Sequence, residues 1–289
     1  MALEPVAAPP ATPPRLSLLT SAQVLDNGER WQGGVKWEPE QCGVGGTHGA
    51  EDDTERTPGA NPATTYSHPF YVWASDEASS FGYQARDWQG RARRQLEATQ
   101  SFGIAREMWA GAITTAEDAQ PSPFLADGDT LVGSGGATVF DTVAAVETWA
   151  GRASMGRRQM VHLSPLAFAT YVRDAEGYVM WSGNVAVTMR GTILVTDDGY
   201  PGTPPAGQAD DGSEWVISSP LVTVRLDTVE IIPTTLQGAR DLVAALEPRS
   251  NTITVWAQRL ALYQLDRCNR FAAPLPLERA DSVPPTPAS

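Results

Sequence analysis

The sequence is poor in lysine, cysteine and histidine, and it contains no long apolar run. Lys36 is its single lysine, so the rest of its 21 basic residues are arginine. Arginine makes planar, bidentate contacts that lysine cannot imitate, which suits interfaces. Basic residues are also outnumbered by 34 acidic ones, for a formal net charge of -13. A chain so charged is repelled by phosphate backbones and anionic membranes, which argues against nucleic-acid binding as its main task. The two cysteines, Cys42 and Cys268, are too few and too far apart for a disulfide framework. A reducing compartment, with no need for oxidation, is the expectation. The apolar piece after Arg15, "LSLLTSAQV", is too short and polar for the core of a signal peptide. No stretch approaches the roughly 20 apolar residues of a membrane span, so a soluble, non-secreted protein without membrane contact is expected.

What is present is enough for a core. Hydrophobic residues make up 42% of the 289 positions and charged ones 19%, which suits one large domain or two small ones. Nine tryptophans fit a protein rich in contacts. Both ends, "MALEPVAAPPATPP" and "DSVPPTPAS", are proline- and alanine-rich and read as arms or tails. From about Asn27 to His68 the chain is dense in glycine and polar residues, an excursion of functional length. Its start, with Trp31, Val35 and Trp37 around Gly33 and Gly34, predicts a hairpin.

The next stretch predicts the longest helix. Trp88, Ala92, Leu96, Thr99, Phe102 and Trp109 recur near a period of 3.6, with Gly111 as the cap, and Arg91, Arg93 and Arg94 fall on the other face. A second helix is predicted after Thr138, which has capping-box spacing to Asp141, with Val139, Val143, Val146 and Ala150 as its stripe and Gly151 as its stop. "RQMVHL" reads as a short strand, followed by a helix capped by Ser164 with Pro165 in its first turn. Extended pieces then dominate, among them "NVAVTM", "GTILVTDDGY", "EWVISSPLVTVRLDTVEII" and "TITVWAQRLALYQL". Helices early and strands late give the class α+β.

The same residues match no catalytic or ligand-binding pattern in full. The Gly-rich stretch "LVGSGGAT" precedes a helix, as phosphate-binding loops do, but it lacks the lysine of a P-loop and has Thr138 in place of the third glycine of GxGxxG. It reads as a joint. Cys42, His48, Asp52, Asp53 and His68 match no zinc spacing, and a solvated loop explains them better than a metal. The two "DDG" runs, at Asp197 and Asp210, lack the ligand series of a calcium loop and read as tight turns. His162 within "MVHL" reads as a packed, hydrogen-bonded histidine, and no GxSxG elbow accompanies Ser164. The expectation is no catalytic residue, no metal and no cofactor, with an α+β enzyme as the distant alternative.

The order of these parts resembles the major capsid proteins of tailed bacteriophages, the Hong Kong 97-like shell fold. The likeness rests on the proline-rich arm, the glycine-rich excursion, the Arg-studded helix ending "REMWAG", the stretch "GTILVTDDGYPG" and the final "AQRLALYQLDRCNRFAAPLPL", and covers most of Leu25 to Leu277. The resemblance implies an N-terminal arm over Met1–Gln23 and an extended hairpin arm (E-loop) over Val24–Ala74. Ser75–Gly128 becomes a peripheral domain carrying a spine helix from about Phe81 to Trp109. Asp129–Ala245 becomes the axial domain, and Leu246–Ser289 the returning peripheral strands and tail. A two-stranded arm of about 20 residues a side spans on the order of 60 Å, too far to be buried on its own subunit.

The implied function is a virion shell, assembled in the host cytoplasm through hexamers and pentamers around double-stranded DNA that it encloses without sequence-specific binding. Portal and decoration proteins are implied partners, and scaffolding would come from another chain, since no long charged helical segment precedes the arm. Trp31, Lys36, Trp37, Arg91, Arg93 and Arg94 are the expected inter-subunit contacts. Some members of the family cross-link subunits by an isopeptide between an arm lysine and a peripheral asparagine. Lys36 with Asn251 or Asn269 would be that pair, set against the plain reading of a solvated lysine, because no motif places a catalytic glutamate. A disulfide between Cys42 and Cys268 of adjacent subunits is the other covalent expectation. An encapsulin-like shell, or another virion protein, remains the alternative.

Overall fold

The computed structural model describes residues 9–26, 31, 33–43, 63–79, 87–113, 121–175, 177–232, 246–247 and 252–279. Fifteen strands and four α-helices are placed among these. The chain enters through an exposed segment, Pro9–Arg15, and a short helix α1 (Leu18–Ser21) with a reciprocal cap between Ser17 and Thr20. Strand β1 (Gln23–Asp26) follows, then a pair formed by β2 (Val35–Trp37) and β3 (Thr65–Ser67), and β4 (Phe70–Ser79).

Helix α2 (Trp88–Ala110) is the long helix, capped by Asp87 at its start and by Gly111 at its end, where φ of +61° favours glycine. Its buried stripe differs from the simple periodic expectation. Trp88, Ala92 and Leu96 face the core in the first half, but Ile104, Ala105 and Met108 do so in the second, while Phe102 is 45% exposed and Thr99 is exposed. At about 100° per residue those two sets lie on nearly opposite sides, so the helix is covered on different faces along its length. A single stripe assumes one neighbour; α2 has β4 and β14 (Thr252–Gln264) along it and α1 as well.

Two sheets organise the body. The first has the order β1-β11-β14-β12, where β11 is Thr223–Leu226 and β12 is Glu230–Ile232, with β4 and β13 (Leu246–Glu247) also paired to the long β14. β4 runs antiparallel to β14 over ten residues, from Phe70 opposite Ala261 to Ser79 opposite Thr252. Val72, Val255, Ala257 and Ala261 point at α2 and share its core with Leu96, Ile104 and Met108.

The second sheet has seven strands in the order β5-β15-β10-β6-β9-β8-β7. These are β5 (Leu131–Val132), β6 (Met160–Leu163), β7 (Val179–Ser182), β8 (Val185–Thr188), β9 (Ile193–Thr196), β10 (Ser213–Ser219) and β15 (Phe271–Glu278). Helices α3 (Val139–Ala153) and α4 (Pro165–Asp174) pack on it through Val143, Val146, Ala167 and Tyr171, with Val161, Leu163 and Val216 beneath. α3 runs to Ala153, past the expected stop at Gly151, because the left-handed turn falls at Met155 and Gly156, whose N–H bonds the Gly151 carbonyl at 2.8 Å. Pro274 and Pro276 are tolerated in β15 because β5 pairs with it only at Phe271 and Ala272, leaving that edge unladdered further on.

Candidate assembly surfaces and the clamped hairpin

The glycine-rich excursion closes on itself. β2 and β3 form a three-residue antiparallel ladder, Val35 opposite Ser67 and Trp37 opposite Thr65, so the pairing strand for Val35–Trp37 comes from the far end of the excursion and not from across Gly33 and Gly34. Gly34, at φ +93°, turns the chain into β2, and its N–H bonds the Trp31 carbonyl at 2.8 Å. The hairpin base is held against the end of β14 and the loop that follows it. Trp37 Nε1 donates to Asp266 Oδ1 at 2.7 Å, and Ser67 Oγ donates to the Tyr263 carbonyl at 2.5 Å. Arg157 reaches across to donate to the Gly43 carbonyl at 2.8 Å.

A disulfide completes this clamp and corrects two expectations. Cys42 and Cys268 are bonded to each other within one chain, their Cα atoms 5.6 Å apart, so they neither remain reduced nor bridge two subunits. Spacing could not show this, because topology brings together positions separated by 226 residues. With both sulfurs in the bond, neither is available as a thiolate ligand, though the Asp266 carboxylate lies beside them. Of the other residues weighed for a metal, His48, Asp52 and Asp53 lie outside the described residues.

The expected contact residues divide. Trp31 is 3% exposed, and Trp37 is half-buried with its Nε1 on Asp266. Burying a tryptophan removes a large apolar area from water, and the hairpin base does so locally. Lys36 is exposed, its Nζ 5.5 Å from the centre of the Tyr66 ring. Arg91 pairs with the buried Asp76 at 3.0 Å and Arg94 with Asp87 at 3.3 Å, while Arg93 is exposed on α2. Asn251 lies outside the described residues, and Asn269 occupies a left-handed position at φ +56° next to Cys268.

The Gly-rich loop is a packed joint. Gly133 N–H donates to the Ala272 carbonyl, extending the β5–β15 pairing, and Gly136 N–H donates to Thr142 Oγ1 at 2.8 Å. A Cβ on Gly135 would sit 2.4 Å from the Pro274 carbonyl oxygen, and one on Gly136 would meet the Asp141 Cβ at 2.5 Å. These glycines let the backbone approach β15 and the first turn of α3, whose N-terminus is already capped by Thr138.

The buried polar groups serve the fold. His162 is fully buried, with Nδ1 2.9 Å from the Tyr200 hydroxyl and Nε2 2.8 Å from Ser219 Oγ. Burial pushes its pKa down to about 3, so it is a neutral strut at ordinary pH. Asp197 accepts from Ser101 Oγ at 2.6 Å, Leu18 N–H at 2.9 Å and Gly199 N–H at 2.9 Å, tying α1 and α2 to the turn after β9. Burial raises its pKa, opposed by those three donors. Buried Glu147 accepts from Thr188 Oγ1 at 2.7 Å and Thr192 Oγ1 at 2.6 Å.

One surface feature was missed by the sequence reading. The outer positions of β4 and β14 carry Tyr71, Trp73 and Trp256, at 56%, 59% and 39% exposure. Trp73 and Trp256 meet edge to face, ring centres 5.1 Å apart. The alternation that places Ile253 and Val255 inside places Trp256 outside, and this phase was the available signal.

No family of known sequences and no curated protein matches the chain. Solved structures do. The capsid of Ralstonia phage GP4 superposes with a TM-score of 0.55 at 12% identity, covering 98% of this chain and 96% of that one. The capsid of an empty GTA particle gives 0.54 at 13% identity, with 94% and 95% covered. A structure from Microbacterium phage Oxtober96 gives 0.53 at 12% identity, with 95% and 94% covered. The chain thus matches these capsid structures over nearly its whole length, and it has the Hong Kong 97-like capsid fold.

Proposed function

We propose that this chain is the shell subunit of a tailed double-stranded DNA phage, assembling with copies of itself through hexamers and pentamers into a closed capsid. The observation that carries this is coverage: the shared fold takes in 98% of this chain and 96% of the Ralstonia phage capsid chain. The net charge of -13 suits a container that must hold DNA without gripping it. Contacts of about 800 Å² per partner can each be weak while a closed shell is stable, because every subunit makes several.

On this reading Pro9–Arg15 belongs to the N-terminal arm, and the strands from Val35 to Ser67 form the base of the extended hairpin arm. The six-stranded sheet with α2 is the peripheral domain. The seven-stranded sheet with α3 and α4 is the axial domain. The pairing of β11 and β12 in the six-stranded sheet and of β15 in the seven-stranded one supports assigning them to the peripheral and axial domains respectively, unlike the boundaries expected from sequence. Negative-stain microscopy and light scattering of the purified chain test the proposal. Closed particles, or rings of five or six subunits, are expected; a 30.9 kDa monomer under every condition overturns it.

A further inference from the structure

We propose that Cys42, Cys268 and Asp266 form a zinc site when the disulfide between the two cysteines is reduced, and that the metal then holds the hairpin clamp in place of the S–S bond. The inference stands apart from the shell reading, since it depends only on the redox state of the chain.

The ligand atoms are already together. The two sulfurs and a carboxylate oxygen of Asp266 all lie within 4.8 Å of one another. A tetrahedral zinc, with bonds of about 2.3 Å to sulfur and about 2.0–2.2 Å to oxygen, holds its ligand atoms roughly 3.5–3.8 Å apart. With the Cα atoms 5.6 Å apart, side-chain rotation after reduction meets that requirement. Donor chemistry selects the metal. Two thiolates and one carboxylate suit borderline-soft Zn²⁺ and not Ca²⁺ or Mg²⁺, which take about six or more oxygen ligands. Water can fill the fourth position, because an open hollow of 630 Å³ lined by Cys42, Thr65, Tyr66, Asp129, Arg267 and Cys268 reaches the sulfurs. Arg267, on the wall of this hollow, pairs with Asp129 at 3.7 Å, which offsets its charge.

The surrounding backbone is braced without the disulfide. Cys42 ends a single 3₁₀ turn, Glu40–Cys42, and the next residue is fixed twice: Gly43 N–H donates to the Glu40 carbonyl at 3.3 Å, and the Gly43 carbonyl accepts from Arg157 at 2.8 Å. On the other side, buried Arg270 donates to the Arg267 carbonyl at 3.1 Å and to the Phe124 carbonyl at 2.6 Å, bracing the turn that carries Asp266 and Cys268. Trp37 Nε1, on Asp266 Oδ1 at 2.7 Å, orients the carboxylate. A carboxylate has lone pairs enough to accept this bond and ligate a metal, and metal-bound carboxylates commonly carry such a partner. Asp266 is 8% exposed, and a bound cation lowers the cost of keeping a charged carboxylate there.

Thiol chemistry links the two forms. In a reducing cell interior such a pair is kept as thiols, and the metal takes the place of the bond. Loading deprotonates both thiols and releases two protons. A small-molecule disulfide is the oxidant that reverses it: one cysteine thiolate attacks it, forms a mixed disulfide and expels one small thiolate. The other cysteine then attacks the mixed disulfide, closes the Cys42–Cys268 bond and expels the second small thiolate. The cysteine sulfurs lose two electrons, the small disulfide gains them, and Zn²⁺ departs because its two thiolate ligands are gone.

The test uses the full chain, reduced with a phosphine that is then removed under argon. Zn²⁺ is titrated in competition with a chromophoric chelator, and Co²⁺ serves as a spectroscopic probe. One zinc per chain is expected, with a sulfur-to-cobalt charge-transfer band. Binding should weaken about tenfold or more for Asp266→Asn and about a hundredfold or more for Cys42→Ser. Zinc should raise the urea midpoint of the reduced chain and leave that of Cys42→Ser unchanged. Oxidised glutathione should release one zinc for each disulfide formed. No stoichiometric binding, equal binding by Cys42→Ser, or zinc retained after the disulfide has closed overturns the inference. The cobalt band is read on the parent chain, so a Cys42→Ser variant that fails to fold leaves the test decisive. None of these readouts depends on particle formation, so the shell reading is tested separately.

Discussion

Removing the Cys42–Cys268 bond should cost this subunit more stability than any other single covalent or side-chain change. The bond closes a loop of 226 residues, from the base of the hairpin to the turn between β14 and β15. On the chain-entropy account, a loop of that size restricts the unfolded chain by about 18 cal/mol/K, or about 5 kcal/mol at 25 °C as an upper figure. With a urea slope of about 3 kcal/mol/M for a chain this large, the midpoint should fall on the order of 1.5 M. Urea unfolding of the oxidised protein, the reduced protein and Cys42→Ser measures it. The last two should coincide, because each removes the same cross-link. A tightly packed base, with Trp37 on Asp266 and Ser67 on Tyr263, should keep the native far-UV spectrum unchanged in all three. Coincident midpoints for oxidised and reduced protein would refute the reasoning, as would two free thiols in the denatured, unreduced chain or a dimer band on non-reducing gels.

Four further outcomes follow from particular residues. His162 stays neutral down to about pH 3 in the folded chain but ionises near 6.5 when unfolded, so its contribution is present above pH 6.5 and is lost as pH falls towards 3. The full window corresponds to about 5 kcal/mol, and His162→Gln should flatten the acid limb of a stability–pH profile. Asp197 and Glu214, raised by burial, act with the opposite sign, holding protons more tightly when folded, so only the difference between wild type and variant isolates the histidine. Asp197→Asn turns an amide N–H₂ towards existing donors and should cost about 2–3 kcal/mol, seen as a lower Tm and faster tryptic cleavage after Arg15. Gly135→Ala drives a methyl into a backbone carbonyl and should cost about 1–3 kcal/mol, whereas the exposed neighbour Ser134→Ala should be silent in the same melt. With Lys36 solvated over Tyr66, mature particles should run as a monomer band on denaturing gels, and a ladder abolished by Lys36→Arg would establish an isopeptide instead.

What was legible in the sequence was local. Caps at Thr138, Ser164 and Gly111 depend on residues within one turn, and all three stand where their chemistry put them. His162 was readable for the same reason: a polar ring inside "MVHL" has to find partners, and Tyr200 and Ser219 supply them. Misreadings arose where a residue's neighbour is distant in the chain. Phe102 has helical spacing to Trp88, but α2 changes its covered face midway, and only the position of β4 reveals that. The partner of Trp37 was likewise out of reach of local pattern, since Asp266, which accepts from its Nε1, lies in the loop after β14. The disulfide is the extreme case.

The same long-range connections say where a shell subunit of this kind can yield. On the proposed shell reading, identical chains in rings of five and of six would meet at different angles, so some part must adjust. The two sheets are poor candidates, because the chain passes between them at β10 to β11 and again at β14 to β15, and both crossings are packed. At the first, Val222 is buried and its N–H faces the Met160 sulfur at 3.3 Å. At the second, fully buried Arg270 pairs with Asp127 at 2.6 Å and donates to the Phe124 carbonyl at 2.6 Å. Separating a buried pair of this kind costs about 3–5 kcal/mol, more than a single weak subunit contact returns. Adjustment therefore falls to parts outside the sheets. Among the described residues that is the arm, Pro9–Arg15, exposed along its whole length and joined to the body at a capped turn whose Leu18 N–H is pinned by Asp197. A segment that is tethered at one end and stiffened by proline can swing to meet a neighbour at either angle while the body that carries it stays the same.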